Sequence, residues 1–249
     1  TYDIIHCRSY FASYIGSKLA DKYNFRLIFD LRSIFPLENV TVGNFKENSN
    51  IYKKWLRIEK NTIEKSSFSV GVTQAMVKYI DSATVKKKGR LIPICVDTDK
   101  YIFDSEKRMA LRGRLNLIDH YVVVYQGSLG LDYQWNNIKI FAKYFKIISN
   151  YIDNAFFLIL TENVDIGIEK TMSDCDISTK QYLIHTPKSK DLPGWLSAAD
   201  AGIHVMSKGL DSHTRLGVKV VEYLSCSLPI IVNKNVGAAS DIAEQNNLG

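Results

Sequence analysis

Short apolar runs alternate along the chain with longer segments in which apolar residues recur every three to four positions. The short runs are typical of buried strands and the longer segments of amphipathic helices. In the first half, strands are predicted at 2–6, 26–29, 68–72 and 90–94. Helices are predicted at 10–23, 50–66 and 74–82. This alternation predicts a parallel sheet with crossover helices.

The alternation starts again after residue 120. Strands are predicted at 121–125, 155–160, 182–185, 201–205 and 229–232. Helices are predicted at 136–151, 166–172, 192–199 and 218–225. Residues 100–119, between the two runs, are charged and contain no clear strand, and they are predicted to form a helix and a connection. The sequence therefore predicts an α/β fold with two Rossmann-like parallel-sheet domains, at 1–105 and 120–249, connected by 106–119.

A ligand is expected at the carboxyl ends of the predicted strands, since open parallel sheets bind ligands there. With two such domains, the cleft between them is the expected active site. The turn from Gly127 to Gly130, which includes Ser128, follows one of these strands. Glycine there lets the backbone approach a ligand closely. The sequence has no G-x-G-x-x-G fingerprint, which argues against an NAD enzyme.

Composition and charge narrow the classes of function. Hydrophobic residues make up 46% and charged residues 23% of the 249, as in an ordinary globular protein. No apolar run approaches the ~20 residues of a membrane span. Residues 1–120 hold 21 basic and 13 acidic side chains, and residues 121–249 hold 11 and 13. The basic half indicates either an anionic partner or ordinary surface lysine. We do not expect nucleic acid, because no aromatic-platform motif accompanies the lysines.

The cysteines bear on the cellular compartment. Cys7, Cys95, Cys175 and Cys226 lie far apart, and none forms the C-x-x-C pair of a zinc site. We therefore expect free, buried thiols in a reducing cytoplasm.

The segment from Leu216 to Val232 has the richest pattern. Gly217 precedes a predicted helix, and the first backbone N–H groups of a helix are free to bind phosphate. Lys219 and Glu222 are three positions apart and therefore neighbours on the helix surface. A carboxylate there can accept hydrogen bonds from two adjacent hydroxyls, as a ribose presents. On spacing alone, an exposed Lys–Glu pair without a ligand is the favoured interpretation.

The same segment resembles the donor-binding helix of family-4 glycosyltransferases, which have the GT-B fold. Many members carry Ser-Pro-Thr-Lys, two apolar residues and Glu-Tyr, then Gly-x-Pro-Val, and residues 217–223 and 229–231 occupy those places. Other stretches resemble family patterns in the same order, at 2–6, 29–36, 59–73, 92–97, 198–203 and 236–241. The resemblance covers nearly the whole chain and implies a GT-B-type protein that is incomplete at both ends.

By this resemblance, the second domain binds a nucleotide sugar and the first binds a glycan or lipid-linked acceptor. Glu222 is expected to bind the donor ribose. The residues expected to hold the diphosphate are Gly127, Ser128, Gly217, Val218 and Lys219. The implied reaction is sugar transfer with retention of configuration, without a metal ion or cofactor, in the synthesis of surface polysaccharide or glycolipid such as capsule or lipopolysaccharide.

Three features depart from the family pattern. Thr214 stands where members often have a glutamate that contacts the sugar, and Arg32 stands where they often have a histidine. Both are the expected catalytic positions, although Arg32 stays protonated and cannot act as a base. The basic pair that often follows the glycine turn is missing, so Arg215 or Lys219 is expected to supply the charge. The histidines expected to be structural are His6, His185, His204 and His213.

The predicted helix at 50–66 has an apolar face and a basic face that includes Lys53, Lys54 and Lys60. Such a helix either lies on anionic lipid at the inner face of the membrane or packs on its own domain, and packing is slightly favoured. In both cases the protein is cytoplasmic. The alternative function is a non-catalytic two-domain protein of the same fold that binds a ligand or partner, which the departures at Thr214 and Arg32 favour.

Overall fold

The computed structural model describes residues 2–130, 137–164, 167–206 and 212–249. Contacts divide the chain into two units. One consists of Thr1–Ile94 and Lys208–Leu216, and the other of Cys95–Ser207 and Gly217–Gly249. Each unit has its own parallel sheet and hydrophobic core. The predicted α/β class with two Rossmann-like sheets is confirmed.

The first unit contains a four-stranded parallel sheet. Its strands are β1 (Ile4–Arg8), β2 (Arg26–Asp30), β3 (Phe68–Gly71) and β4 (Gly89–Leu91), paired in that order. Its helices are α1 (Ser9–Tyr23), α2 (Phe35–Thr41), α3 (Asn50–Lys65) and α4 (Gln74–Ser82). Buried apolar side chains of β2, α3 and α4, among them Phe29, Ile63 and Met76, form the core between sheet and helices.

Helix α3 packs on its own unit. Its N-cap, Ser49, accepts a hydrogen bond from the backbone N–H of Tyr52 (3.3 Å), which satisfies a donor that the start of a helix leaves free. Ile63 is fully buried, and Trp55 packs edge-to-face on Phe35 with ring centroids 4.9 Å apart. Because this unit occupies the apolar face, the structure favours the packed helix over a helix lying on lipid.

The described residues of the second unit form five parallel strands and six α-helices. The strands are β5 (Tyr121–Gln126), β6 (Ala155–Leu160), β7 (Tyr182–His185), β8 (Ala201–His204) and β9 (Ile230–Val232). The helices are α5 (Ser105–Arg114), α6 (Ile138–Ser149), α7 (Ile168–Asp174), α8 (Leu192–Ser197), α9 (Val218–Ser225) and α10 (Gly237–Asn246). The strand order is β7-β6-β5-β8-β9, so the winding direction reverses between β5 and β8. Such a reversal leaves a crevice for ligands at the carboxyl ends of the strands.

Helix α5 is fixed to the second unit through Asp200. The guanidinium groups of Arg108 and Arg112 both bond to the Asp200 carboxylate, Arg112 at 2.9 Å. The same carboxylate accepts the backbone N–H of Val122 at 2.7 Å. Burial raises the pKa of Asp200, but these hydrogen bonds outweigh it and hold the pKa below its ordinary value. Most of the segment expected to connect the domains is therefore attached to the second sheet.

The sequence pattern does not predict two of the helices. Helix α2 begins beside Pro36 in a segment interpreted as a loop, and α10 lies in one that resembles a glycine loop. The first has only seven residues and the second buries mainly small residues, so neither shows clear apolar spacing. The predicted helix starts at 136 and 166 lie outside the described residues. Within the described ranges, no helix is long and apolar enough to cross a membrane.

A buried carboxyl group lies inside the first unit. Glu59 is 2% exposed and accepts hydrogen bonds from the hydroxyl groups of Tyr10 and Tyr79. Burial raises the pKa of Glu59 to about 7, and the two hydrogen bonds only partly oppose this. The folded chain therefore favours the neutral acid.

This shift predicts that the first unit loses stability as the pH rises. Between the ordinary pKa of 4.5 and about 7, the folded chain binds a proton that the unfolded chain has lost. The free energy of unfolding then falls by at most about 1.4 kcal/mol per pH unit. Glu59→Gln cannot ionise and should remove this slope in denaturant titrations across the same range. Glu64→Gln, at an exposed position of α3, should keep it, and a slope unaltered in Glu59→Gln contradicts the assignment.

Candidate functional site

The turn after β5 lies against the side chain of Lys219. Gly127 has a φ of 129°, in the range that favours glycine. A Cβ atom built on Gly127 would lie 1.9 Å from Cε and 2.6 Å from Nζ of Lys219. Burial lowers the pKa of Lys219, and the charge of Glu222 opposes this. The fold therefore places the ammonium group directly on the predicted glycine turn.

The N-terminus of α9 is open at the same place. Gly217 precedes the helix with extended backbone, and within the described chain no side chain caps this end. Val218, the first helical residue, is 44% exposed. The backbone N–H of Val220 donates to the Gly217 carbonyl at 3.1 Å, whereas those of Val218 and Lys219 and the positive end of the helix dipole are available to an anion.

Glu222 lies one turn into α9 and is held by two neutral donors. Gln126 Nε2 donates to Glu222 Oε2 at 2.8 Å, and the Tyr101 hydroxyl also hydrogen-bonds the carboxylate. Glu222 is 9% exposed, so the interpretation of Lys219 and Glu222 as an exposed pair is wrong. A buried carboxylate that keeps unused acceptor positions is suited to binding hydroxyl groups.

Tyr223 links α9 to the sheet beneath it. Its hydroxyl oxygen accepts the backbone N–H of Gln126 at 2.9 Å. Its ring lies on Gly202 of β8, where an added Cβ atom would be 2.4 Å from Cδ2 of the ring. Glu222 and Tyr223, which are neighbours in the sequence, therefore both contact Gln126. Because Gln126 is the last residue of β5, these contacts join the end of β5 and the first turns of α9 into one rigid assembly.

A cavity of 310 Å³ opens beside this assembly, at the carboxyl ends of β5, β6 and β7. Its lining includes Gln126, Gly127, Ser128, Thr161, Glu162 and Thr186. The Thr186 hydroxyl donates to the carbonyl of Thr161 at 2.6 Å, which ties the two outer strand ends together. Because Gly127 lines the cavity and also contacts Lys219, cavity and ammonium group are adjacent.

His204 ends β8 on the other side of the reversal. It is 6% exposed, and in the described part of the chain neither ring nitrogen has a hydrogen-bond partner. Burial lowers the pKa of His204 to about 4, and the charge of Lys219 adds to this. The imidazole is therefore neutral at pH 7. An added Cβ atom at Gly217 would lie 2.6 Å from Cε1 of this ring, so close packing on His204 requires glycine there.

Comparison with known proteins identifies the fold. No protein-family model and no curated protein matches the chain. HepE from Anabaena, solved in complex with UDP, matches with a TM-score of 0.76 and 16% identity over 97% of this chain and 62% of its own. Sucrose-phosphate synthase from Thermosynechococcus elongatus matches with a TM-score of 0.72 and 17% identity, over 95% and 57% of the two chains. These are GT-B glycosyltransferases.

The chain has the GT-B fold. The fold that the sequence resemblance implied is confirmed. WaaG, a glycosyltransferase involved in lipopolysaccharide biosynthesis, is also similar, with a TM-score of 0.64 and 13% identity over 93% of this chain and 65% of its own. The chain spans about three fifths of the length of these structures.

In this GT-B chain, three predicted site residues belong to the first unit. The carbonyl of Thr214, which is buried, accepts a hydrogen bond from the Thr73 hydroxyl at 3.1 Å. The guanidinium group of Arg215 is 4.0 Å from a carboxylate oxygen of Glu38. Arg32 is exposed and follows β2 with a φ of 65°, a strained conformation for a residue other than glycine. The second unit holds the other predicted residues, Gly127, Ser128, Gly217, Val218, Lys219 and Glu222.

The sequence alone did not point to three residues that lie at the candidate site. Gln126 is recognisable in hindsight as the polar last residue of an apolar strand. Tyr101 lies in a charged segment without a motif, so no local signal connects it with Glu222. His204 was expected to be structural, and its position near Lys219 at the sheet reversal depends on the strand order.

Two Asp-x-Asp sequences, of a kind that can bind metal, occur at 97–99 and 174–176. Among the described residues, however, no three His, Cys, Asp or Glu side chains are grouped so that they could hold a metal ion. The groups described at the candidate site are the ammonium group of Lys219, the backbone N–H groups at the start of α9 and the carboxylate of Glu222.

Proposed function

We propose that this protein is a nucleotide-sugar glycosyltransferase whose second unit binds the donor. The observation that carries the proposal is the contact of Lys219 with Gly127 beside the open first turn of α9. Positive charge and free N–H donors meet there, at the carboxyl edge of a reversing parallel sheet. HepE, which is similar in fold, was solved with UDP and with UDP-glucose, which supports a nucleotide sugar as the ligand.

The groups of the site have complementary roles in this proposal. The first turn of α9 and Lys219 bind the diphosphate and stabilise the negative charge that develops on it as the sugar leaves. Glu222 accepts hydrogen bonds from the ribose hydroxyls, while Gln126 and Tyr101 fix the orientation of its carboxylate. The 310 Å³ cavity at the ends of β5–β7 receives the base.

The proposal also covers the acceptor, the product, the stereochemical course and the catalytic residues. The acceptor is a glycan or a lipid-linked sugar at the cytoplasmic face of the membrane, and the product is a hexosylated surface polysaccharide or glycolipid. The sugar is transferred with retention of its anomeric configuration and without a metal ion. Arg32 and Thr214 remain the proposed catalytic positions, with Arg215 as a further donor contact. The likeness to WaaG, a glycosyltransferase involved in lipopolysaccharide biosynthesis, supports only the proposed class of product.

Glu222→Gln tests the donor site. The substitution keeps the shape of the side chain but removes the charge that strengthens hydrogen bonds to ribose. We expect UDP to bind about 100-fold more weakly by calorimetry, which corresponds to about 2.7 kcal/mol. Glu244→Gln, at an exposed position of α10, should bind UDP as the unaltered protein does. Equal UDP affinity in both variants contradicts the proposed role of Glu222.

One observation favours the alternative, a non-catalytic binding protein of the same fold. Thr214 stands at the expected sugar-contacting position, yet it is buried and its carbonyl is engaged by Thr73. Turnover separates the two functions. Slow hydrolysis of UDP-glucose, measured as UDP release, supports the enzyme, whereas UDP binding without release from any sugar nucleotide supports the binding protein.

A further inference from the structure

A larger cavity lies elsewhere in the second unit and is separate from the donor site. It has a volume of 520 Å³ and lies between α5, α8 and the end of β7. Its lining includes Lys107, Leu111, Arg114, His185, Lys190 and Trp195. It shares none of its lining residues with the 310 Å³ cavity. Its volume falls in the range of small-molecule sites, ~300–1,000 Å³.

The charges around this cavity are unbalanced. Lys107 is paired with Asp104 at 3.0 Å. For Arg114 and Lys190, no carboxylate oxygen of the described residues lies within 4 Å. Asp191 is the acidic residue of the lining. The lining therefore has more basic than acidic side chains, and a bound anion offsets this excess of positive charge.

Aromatic stacking fixes the positions of His185 and Arg114. The His185 ring stacks on Trp195 with centroids 4.1 Å apart, and the Arg114 guanidinium lies 5.8 Å from the centroid of the same indole. Burial lowers the pKa of His185, and the charge of Arg114 lowers it further. The positive charge of Arg114 therefore disfavours the protonated form of His185 on this platform. Leu111 and Ala110 supply an apolar wall beside them.

We propose that this cavity is a second ligand site, which takes a small phosphate monoester such as a sugar phosphate. The planar guanidinium fork of Arg114 matches two phosphate oxygens, and Lys190 supplies a further charge-assisted hydrogen bond. The wall formed by Ala110 and Leu111 contacts the carbon skeleton of the ligand. The site is distinct from the proposed donor site, because the two cavities share no lining residue.

The experiment uses glucose 6-phosphate as the ligand and the His185 ring resonance as the readout. The charged groups that line the cavity with His185 are Lys107, Arg114, Lys190 and Asp191. Phosphate bound among them should raise the His185 pKa, followed by pH titration of the ring signal with and without saturating ligand. Arg114→Gln and Lys190→Gln, both at exposed positions, should each weaken binding about tenfold or more.

Control experiments distinguish glucose 6-phosphate binding in this cavity from binding at the donor site, and from binding of inorganic phosphate. Lys180→Gln, at an exposed lysine outside the cavity, should leave binding unchanged. Lys219→Gln should leave it unchanged as well, so the proposal survives a failure of the donor-site assignment. Inorganic phosphate should bind more weakly than glucose 6-phosphate, and equal affinity overturns the monoester assignment. An unshifted His185 titration, or full affinity in Arg114→Gln and Lys190→Gln, overturns the site.

Discussion

Asp200→Ala should destabilise the second unit by about 3 kcal/mol, the lower end of the range for removing one partner of a buried ion pair, because the Asp200 side chain is 21% exposed. The side chain of Arg112 is only 6% exposed and would keep its charge without the carboxylate. The backbone N–H of Val122 and the guanidinium group of Arg108 would lose their acceptor as well. Denaturant unfolding followed by circular dichroism measures the loss.

The control is an ion pair on the surface of the same unit. Lys170 and Asp174 lie four positions apart on α7 with 3.0 Å between their charged atoms, and both are well exposed. Water and salt screen such a pair, so Asp174→Ala should leave the unfolding midpoint almost unchanged. Comparable losses in the Asp174 and Asp200 variants would show that the buried cluster does not anchor α5.

Gly202→Ala should disrupt the hydrophobic core of the second unit and the proposed binding of a nucleotide. The added methyl group would lie 2.4 Å and 2.5 Å from two ring atoms of Tyr223, closer than carbon atoms can approach. The ring is fully buried and cannot move aside without shifting α9 or β8. Overpacking of this kind costs about 1–3 kcal/mol.

Because Tyr223 adjoins Glu222 and contacts Gln126, the same shift displaces the carboxylate of the proposed ribose site. We expect UDP affinity to fall together with stability, measured by calorimetry and by thermal denaturation. Gly113→Ala is the matched control, since an added Cβ atom there meets nothing within 4 Å and alanine favours helix. Full UDP affinity in Gly202→Ala would contradict the rigid link between β8, Tyr223 and Glu222.

Much of the fold follows from periodicity. Nine strands were expected from short apolar runs, and the described structure has strands at each of these places. Failures occurred where local pattern is weak, as in α2 and α10. Residues 100–119 show another limit, because their sequence predicts a helix and a connection but not that Arg108 and Arg112 of α5 bond to Asp200. Partners far apart along the chain leave no local signal.

For the candidate site too, some features follow from the sequence and others only from the tertiary structure. The sequence by itself determined that Lys219 and Glu222 lie near each other on a helix that starts after Gly217, because helical spacing is a local property. Only the tertiary structure decided that Lys219 lies on Gly127, that Gln126 and Tyr101 hold Glu222, and that His204 packs under Gly217. The physical reason is the strand order. In the sheet, β5 lies between β6 and β8. This order brings together residues that are far apart in the sequence and share no local pattern.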